Sequence, residues 1–300
     1  MKEDRMEYLI RSAVYGFAIG DALGVPFEFK ERDTFICTDM VGHGTWNQPA
    51  GTWSDDTSMM LATLDSIRSN HGEVVPLDIM NRFQDWYRYG RYAIDGNVFD
   101  VGNTVSAALS RFDGSNPFCG IDDVMQNGNG ALMRILPLAF ADSSLDYQVE
   151  AVAKLTHGHK TSTDYCIKYV AAARMLMYEG YIDYDHVWRC PEPLYLEDDV
   201  VQEIESPFSL PIKSSAYVAD TFNAVMYCLA TTDNYRDCVL KAVNLGKDTD
   251  TIAALAGGLA GIMYGYPVYE GYRHVNRETG IPPAWIERLR GKDIIESCIS

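Results

Sequence analysis

Nothing in this chain offers a membrane-spanning run, a cysteine pair or a basic tract, and each absence removes a class of function. The most lipid-like stretch, Ile252 to Tyr264, is short and rich in Gly and Ala. It reads as a buried helix, not a bilayer span. The cysteines (Cys37, Cys119, Cys166, Cys190, Cys228, Cys238, Cys298) are scattered, odd in number and form no CxxC pair. They argue against a zinc or disulfide framework and for a reducing, cytoplasmic setting. The opening Met1-Lys2-Glu3-Asp4-Arg5 is too charged for a signal peptide, and no apolar segment of that type follows. Lys and Arg number 25 against 42 Asp and Glu, a net charge of −17. Such a surface repels a nucleic-acid backbone, so general DNA or RNA binding is not expected. An anionic nucleotide is also repelled unless metal ions reverse the local field.

What remains is helix after helix. Apolar residues recur at three and four positions over about 5–23, 57–70, 76–89, 102–112, 130–140, 145–157, 161–179, 214–230, 235–245 and 250–264. Alternating strand patterns are scarce, and no linker, low-complexity tract or repeat breaks the pattern. The expectation is one all-α domain over residues 1–300, with an irregular excursion rich in Pro, Tyr and acids at about 181–212. A chain of this length can bury one large core.

Two acidic clusters stand out, each opening an apolar helix. Ser54-Asp55-Asp56-Thr57 precedes Ser58-Met59-Met60-Leu61, and Asp248-Thr249-Asp250-Thr251 precedes Ile252-Ala253-Ala254-Leu255. Helix capping uses one such residue, and four in a row exceed that need. Buried carboxylates are costly unless paired or bound to a cation, and no basic run lies near either cluster. Oxygen-only ligands at helix N-termini suit one or two hard ions, Mg²⁺ or Mn²⁺. The competing reading is a pair of over-capped core helices.

Other segments are weaker alone. Gly16, Gly20 and Gly24 line one helix face and suit close packing, with Asp21 and Glu28 embedded nearby. Gly128-Asn129-Gly130 ahead of Ala131-Leu132-Met133 is either a phosphate cradle or an ordinary turn. His157 and His159 sit near a helix end, where capping is the bland role. Asp100 either caps the helix that follows it or does chemistry.

Taken together and in order, GFAIGDALGVPFE, GTWSDDTSMMLA, FDVGNT, GNGALMRILPLA, THGH and GKDTDTIAALAGGLAGIMYG resemble the ADP-ribosylglycohydrolase family, from Gly16 to about Gly265. The resemblance implies an orthogonal helical bundle with a central two-metal cleft. It implies Ser54, Asp55, Asp56, Asp248, Asp250 and Thr251 as ligands of two divalent cations. Ser54 stands where the family usually carries Thr, and its hydroxyl can still coordinate. Gly128, Asn129 and Gly130 would meet the pyrophosphate and ribose, and His157 or His159 the nucleotide. The proton-transfer carboxylate falls at Glu28 in the serine-linked branch and at Asp100 in the dinitrogenase-reductase branch, and this chain carries both. The implied activity is metal-dependent hydrolysis of the bond between ADP-ribose and an acceptor, a protein arginine or serine. Rivals are a hydrolase of small ADP-ribosyl compounds, a two-metal phosphoesterase, and a non-catalytic crystallin-like relative. The last predicts missing carboxylates, and none is missing.

Overall fold

The computed structural model describes residues 2–141, 146–189, 210–266 and 278–300, and among them there is no strand. The helices are α1 (Lys2–Gly24), α2 (Asp55–Ser69), α3 (Pro76–Tyr89), α4 (Asn103–Arg111), α5 (Asp146–Ala153), α6 (Lys160–Tyr178), α7 (Tyr184–Arg189), α8 (Val218–Ala230), α9 (Tyr235–Asn244), α10 (Thr249–Tyr264), α11 (Pro283–Arg288) and α12 (Lys292–Ile299). Isolated bridges such as Gly128 with Tyr217 replace any sheet. No described helix is long and apolar enough to cross a membrane.

The core is organised around α10, which is buried from Thr249 to Ile262 and packs on α1, α6, α8 and α9. Its small residues permit this. A Cβ on Gly16 would lie 2.3 Å from the Gly257 carbonyl, and one on Gly20 would lie 2.0 Å from the Ala253 carbonyl. The glycine face of α1 therefore rests on the backbone of α10 itself. At its end, a Cβ on Gly24 would sit 2.3 Å from Asp250 Cα. This packing fixes where one acidic cluster lies relative to the residues of α1.

Two expectations need correction. The segment 130–140 is not an α-helix but two short 3-10 turns, Leu132–Arg134 and Leu136–Phe140. Pro137 supplies no N–H and blocks a continuous ladder there. The excursion at 181–212 contains a helix, α7; its residues 190–209 lie outside the described residues. Short α11 and α12 close the chain against α1 and α2.

Candidate active site

The second acidic cluster meets the first because α1 bridges them. Asp21, on α1 and wholly buried, accepts from Ser54 N at 2.9 Å, Thr57 N at 3.0 Å and Thr57 Oγ1 at 2.6 Å. A carboxylate from one helix thus caps the N-terminus of α2, where the free N–H groups and the dipole favour negative charge. Ser54 is the N-cap residue proper; its Oγ accepts from Asp56 N at 3.3 Å and donates to Asp56 Oδ2 at 3.0 Å. From α10, Thr251 Oγ1 donates to the same Asp56 oxygen at 3.2 Å. Sequence alone reads Asp21 as an acid beside a packing motif. A carboxylate in the middle of an apolar, glycine-faced helix was the available signal.

Carboxylate oxygens of Asp21, Asp56 and Asp250 lie within 4.8 Å of one another, and those of Glu28, Asp100 and Asp250 form a second such group. No lysine or arginine pairs with any of these acids among the described residues. Asp56 Oδ1 and Asp250 Oδ2 are buried with no hydrogen-bond partner. Leaving a buried anionic oxygen unmatched is expensive. The donor set is oxygen only, which fits a hard divalent cation and not a soft one. The clustered carboxylates could therefore hold metal ions.

The electrostatics agree. Burial, then repulsion from Asp56 and Asp21, pushes Asp55 well above the usual carboxylate range. Burial and neighbouring acids do the same to Asp56 and Asp250. Burial raises Asp248, and raises Asp21 to about 6 against the bonds it accepts from Ser54 and Thr57. Burial raises Glu28 to about 7, opposed by the Trp46 indole N–H that donates to it. Asp100 is pushed to about 11 by burial and by the charges of Asp55 and Glu28. Asp100 also has φ 60°, a left-handed backbone that costs energy for a non-glycine residue and recurs at working sites.

Above these acids opens a cleft of about 690 Å³. Its lining has two parts, an acidic one of Glu28, Asp55, Asp100, Asp248 and Thr251 and a glycine-turn one of Gly128, Asn129, Gly130 and His157. The 101–105 segment, mostly within the FDVGNT motif, completes the wall with Met133 and Lys247 of two other motifs and with Phe29, Glu31, Ser215 and Ala216, which sequence reasoning did not single out. Asn129 joins the two parts: its Nδ2 donates to Asp248 Oδ2 at 2.6 Å and to Thr221 Oγ1 at 3.0 Å. His159 is not part of this lining. Its Nδ1 accepts from Thr161 N at 3.2 Å as the N-cap of α6, so the structure gives it the capping role.

Residues 2–300 match the profile of the family described as ADP-ribosylglycohydrolase. An ADP-ribosylarginine hydrolase of Pseudomonas putida (strain GB-1) is 32% identical over 287 residues, 93% of this chain and 73% of the relative. The ADP-ribosyl-[dinitrogen reductase] glycohydrolase of Rhodospirillum rubrum is 31% identical, covering 92% of this chain and 88% of its own length. A solved structure titled "ADP-ribosylglycohydrolase-related protein complex" superposes with a TM-score of 0.78 at 26% identity, covering 99% of this chain and 97% of that one.

Proposed function

The chain belongs to the ADP-ribosylglycohydrolase family, and from that premise we propose that it frees ADP-ribose from the arginine side chains of modified proteins. It is an enzyme that hydrolyses a glycosidic bond to ADP-ribose. Two observations favour arginine as the acceptor: two relatives are named ADP-ribosylarginine hydrolase, and the FDVGNT segment holding Asp100 resembles the dinitrogenase-reductase branch.

One observation carries the chemistry: two groups of converging carboxylates share Asp250, with Glu28 and Asp100 of one group lining the cleft and buried oxygens left unmatched. In this reading Ser54, Asp55, Asp56, Asp248, Asp250 and Thr251 hold two divalent cations, Mg²⁺ or Mn²⁺. Bound there, such ions supply Lewis acidity and lower the pKa of water. They also lower the carboxyl values raised by crowding, because a cation favours the ionised form. Asp21 does not enter the ligand set here. It keeps the Ser54–Thr57 turn in place, through bonds to both ends of that turn.

The remaining roles fall to this chain's own groups. Asp100 takes the proton of the attacking water, and Glu28, beside it, shares that proton and shapes the water's approach. The Gly128–Gly130 turn leaves room for the pyrophosphate, because no side chain projects from either glycine. Asn129 orients Asp248, and His157 faces the nucleotide end. Cleavage builds oxocarbenium character on the ribose, and the carboxylates around it favour that charge. The test is incubation with arginine-linked and serine-linked ADP-ribosyl peptides plus Mg²⁺ or Mn²⁺, with products identified by mass. Free ADP-ribose from the arginine peptide is expected. Release of AMP with phosphoribose left on the peptide, or turnover of the serine peptide alone, would overturn the reading.

A further inference from the structure

Arg134 is wholly buried, and no carboxylate among the described residues pairs with it. Burying a guanidinium without a counter-charge is costly, so its contacts call for a reason. Its Nε donates to the Gly130 carbonyl at 3.0 Å, its Nη1 to the Val152 carbonyl at 3.2 Å, and its Nη2 to Thr156 Oγ1 at 2.6 Å. Its plane lies over the Phe83 ring, 4.7 Å from the centroid. Thr156 Oγ1 in turn lies 2.7 Å from His157 Nδ1. All three polar residues sit beneath the glycine turn of the cleft.

The proton inventory along this chain has one satisfactory solution. Arginine only donates, so the Thr156 hydroxyl accepts that bond. A hydroxyl has a single proton, and Thr156 is fully buried. Its proton finds an acceptor at Nδ1, 2.7 Å away. The opposite arrangement, with the proton on Nδ1, would leave the threonine proton without a partner in a dry interior. Nδ1 is therefore bare, and the neutral ring carries its hydrogen on Nε2. We propose that Arg134 and Thr156 are positioning residues that lock His157 as the Nε2–H tautomer, a neutral donor facing the cleft beneath Gly128 and Gly130.

Three further observations support this. A Cβ on Gly130 would lie 3.0 Å from His157 Cε1 and press on the ring, while one on Gly128 would lie 3.7 Å from Nε2, in ordinary contact, so the ring packs directly against the turn. The same guanidinium holds the Gly130 carbonyl, which fixes turn and ring to one anchor. Burial, and then the charge of Arg134, push the imidazole down to about 3. The donor thus stays uncharged at working pH, and its strength does not vary with protonation. Its natural acceptor is an anionic oxygen of the ligand. Only the identity of that acceptor rests on the ADP-ribose reading.

The test is nitrogen-detected NMR of the full chain labelled with ¹⁵N-histidine, with the His157 signals assigned by their loss in His157→Gln. The expected parent spectrum shows Nδ1 without a proton and Nε2 bearing one, unchanged from pH 8 to pH 5. Thr156→Val keeps the volume and removes the hydroxyl. It should abolish the single tautomer and weaken ADP-ribose binding by about tenfold in calorimetry. Thr156→Ser should restore both. A proton on Nδ1 in the parent overturns the proposal, and that measurement does not depend on how Thr156→Val folds. So does a Thr156→Val spectrum identical to the parent's. The expected parent tautomer together with no ADP-ribose binding would uphold the relay and sink the functional reading instead.

Discussion

The two walls of the cleft are built on opposite principles. On the acidic wall, Asp55, Asp56 and Asp250 are crowded, buried and pushed well above the usual carboxylate range, and two of their oxygens lack any partner. On the glycine wall the buried relay is matched, Arg134 to Gly130, Val152 and Thr156, and Thr156 to His157, which leaves the His157 Nε2–H to meet a ligand. One wall is electrostatically incomplete as a protein, and its clustered carboxylates could hold cations that complete it. The other is complete and presents neutral donors. Asn129 is the hinge of the contrast, since its amide serves Asp248 on one side and stands in the glycine turn on the other. Breaking a side chain on each wall should therefore fail in different ways.

The largest effect is expected on the acidic wall. We predict that Asp55→Ala or Asp250→Ala abolishes measurable turnover and weakens binding of Mg²⁺ or Mn²⁺ in calorimetry. The fold should persist, because both residues stand at helix N-termini and removing one relieves repulsion in its cluster. Parental metal binding by both variants would refute the ligand assignment.

Next come the two acids at the mouth of that wall. A general acid or base contributes about 10²–10⁴-fold to rate. Asp100→Asn is predicted to cost that much on arginine-linked substrate with metal affinity preserved, and Glu28→Gln distinctly less. Steady-state rates on both linkages decide this. The reverse order, with serine-linked substrate preferred, would move the enzyme to the other branch. Near-parental rates in both variants would remove both acids from proton transfer.

At the hinge, Asn129→Ala should weaken inhibition by free ADP-ribose by about 1–3 kcal/mol, the cost of stranding buried polar groups. Equal inhibition constants for parent and variant would count against placing the ligand on the glycine wall. Because Asn129 also donates to Asp248, a modest loss of metal affinity should accompany the change.

How much of this was legible in the sequence follows from how local each feature is. Helix spans and their polar openings are local, and α2, α3, α6 and α10 lie within a residue or two of their periodic patterns. The two acidic clusters were legible for the same reason: four polar residues before an apolar run are visible without a fold. The glycine face of α1 was legible as a packing surface, but its partner was not, since nothing local says that Gly16, Gly20 and Gly24 meet Gly257, Ala253 and Asp250. Asp21 was misjudged because its partners, Ser54 and Thr57, are more than thirty residues away. Arg134 was hidden for a similar reason: a basic residue in an apolar stretch gives no hint that carbonyls and a threonine, not an acid, receive it. The 130–140 segment failed differently, since its apolar spacing is helical while Pro137 forbids the helix.

The smallest predicted effect reads the acidic wall through stability. A buried carboxyl raised above its unfolded value is favourable to folding while protonated. Its contribution is fully present below the unfolded pKa, near 4, and is lost as pH rises toward the folded value. For Asp21 and Glu28 those folded values are about 6 and about 7. Chelated protein should therefore lose stability between about pH 4 and pH 7, by up to about 1.4 kcal/mol per group per pH unit. In a chain of this size about 1 kcal/mol moves the melting temperature by about 2 °C. Adding Mg²⁺ or Mn²⁺ should flatten or reverse that slope, because cations favour the ionised form. Thermal melts at several pH values, with chelator and with metal, measure both arms. The glycine wall provides the control: burial holds His157 neutral down to about 3, so His157→Gln should change the slope below about pH 6.5 equally with chelator and with metal and leave the difference between the two curves intact. If metal and chelator give parallel stability curves across this range, the acidic wall is not a cation site, and the contrast between the two walls collapses.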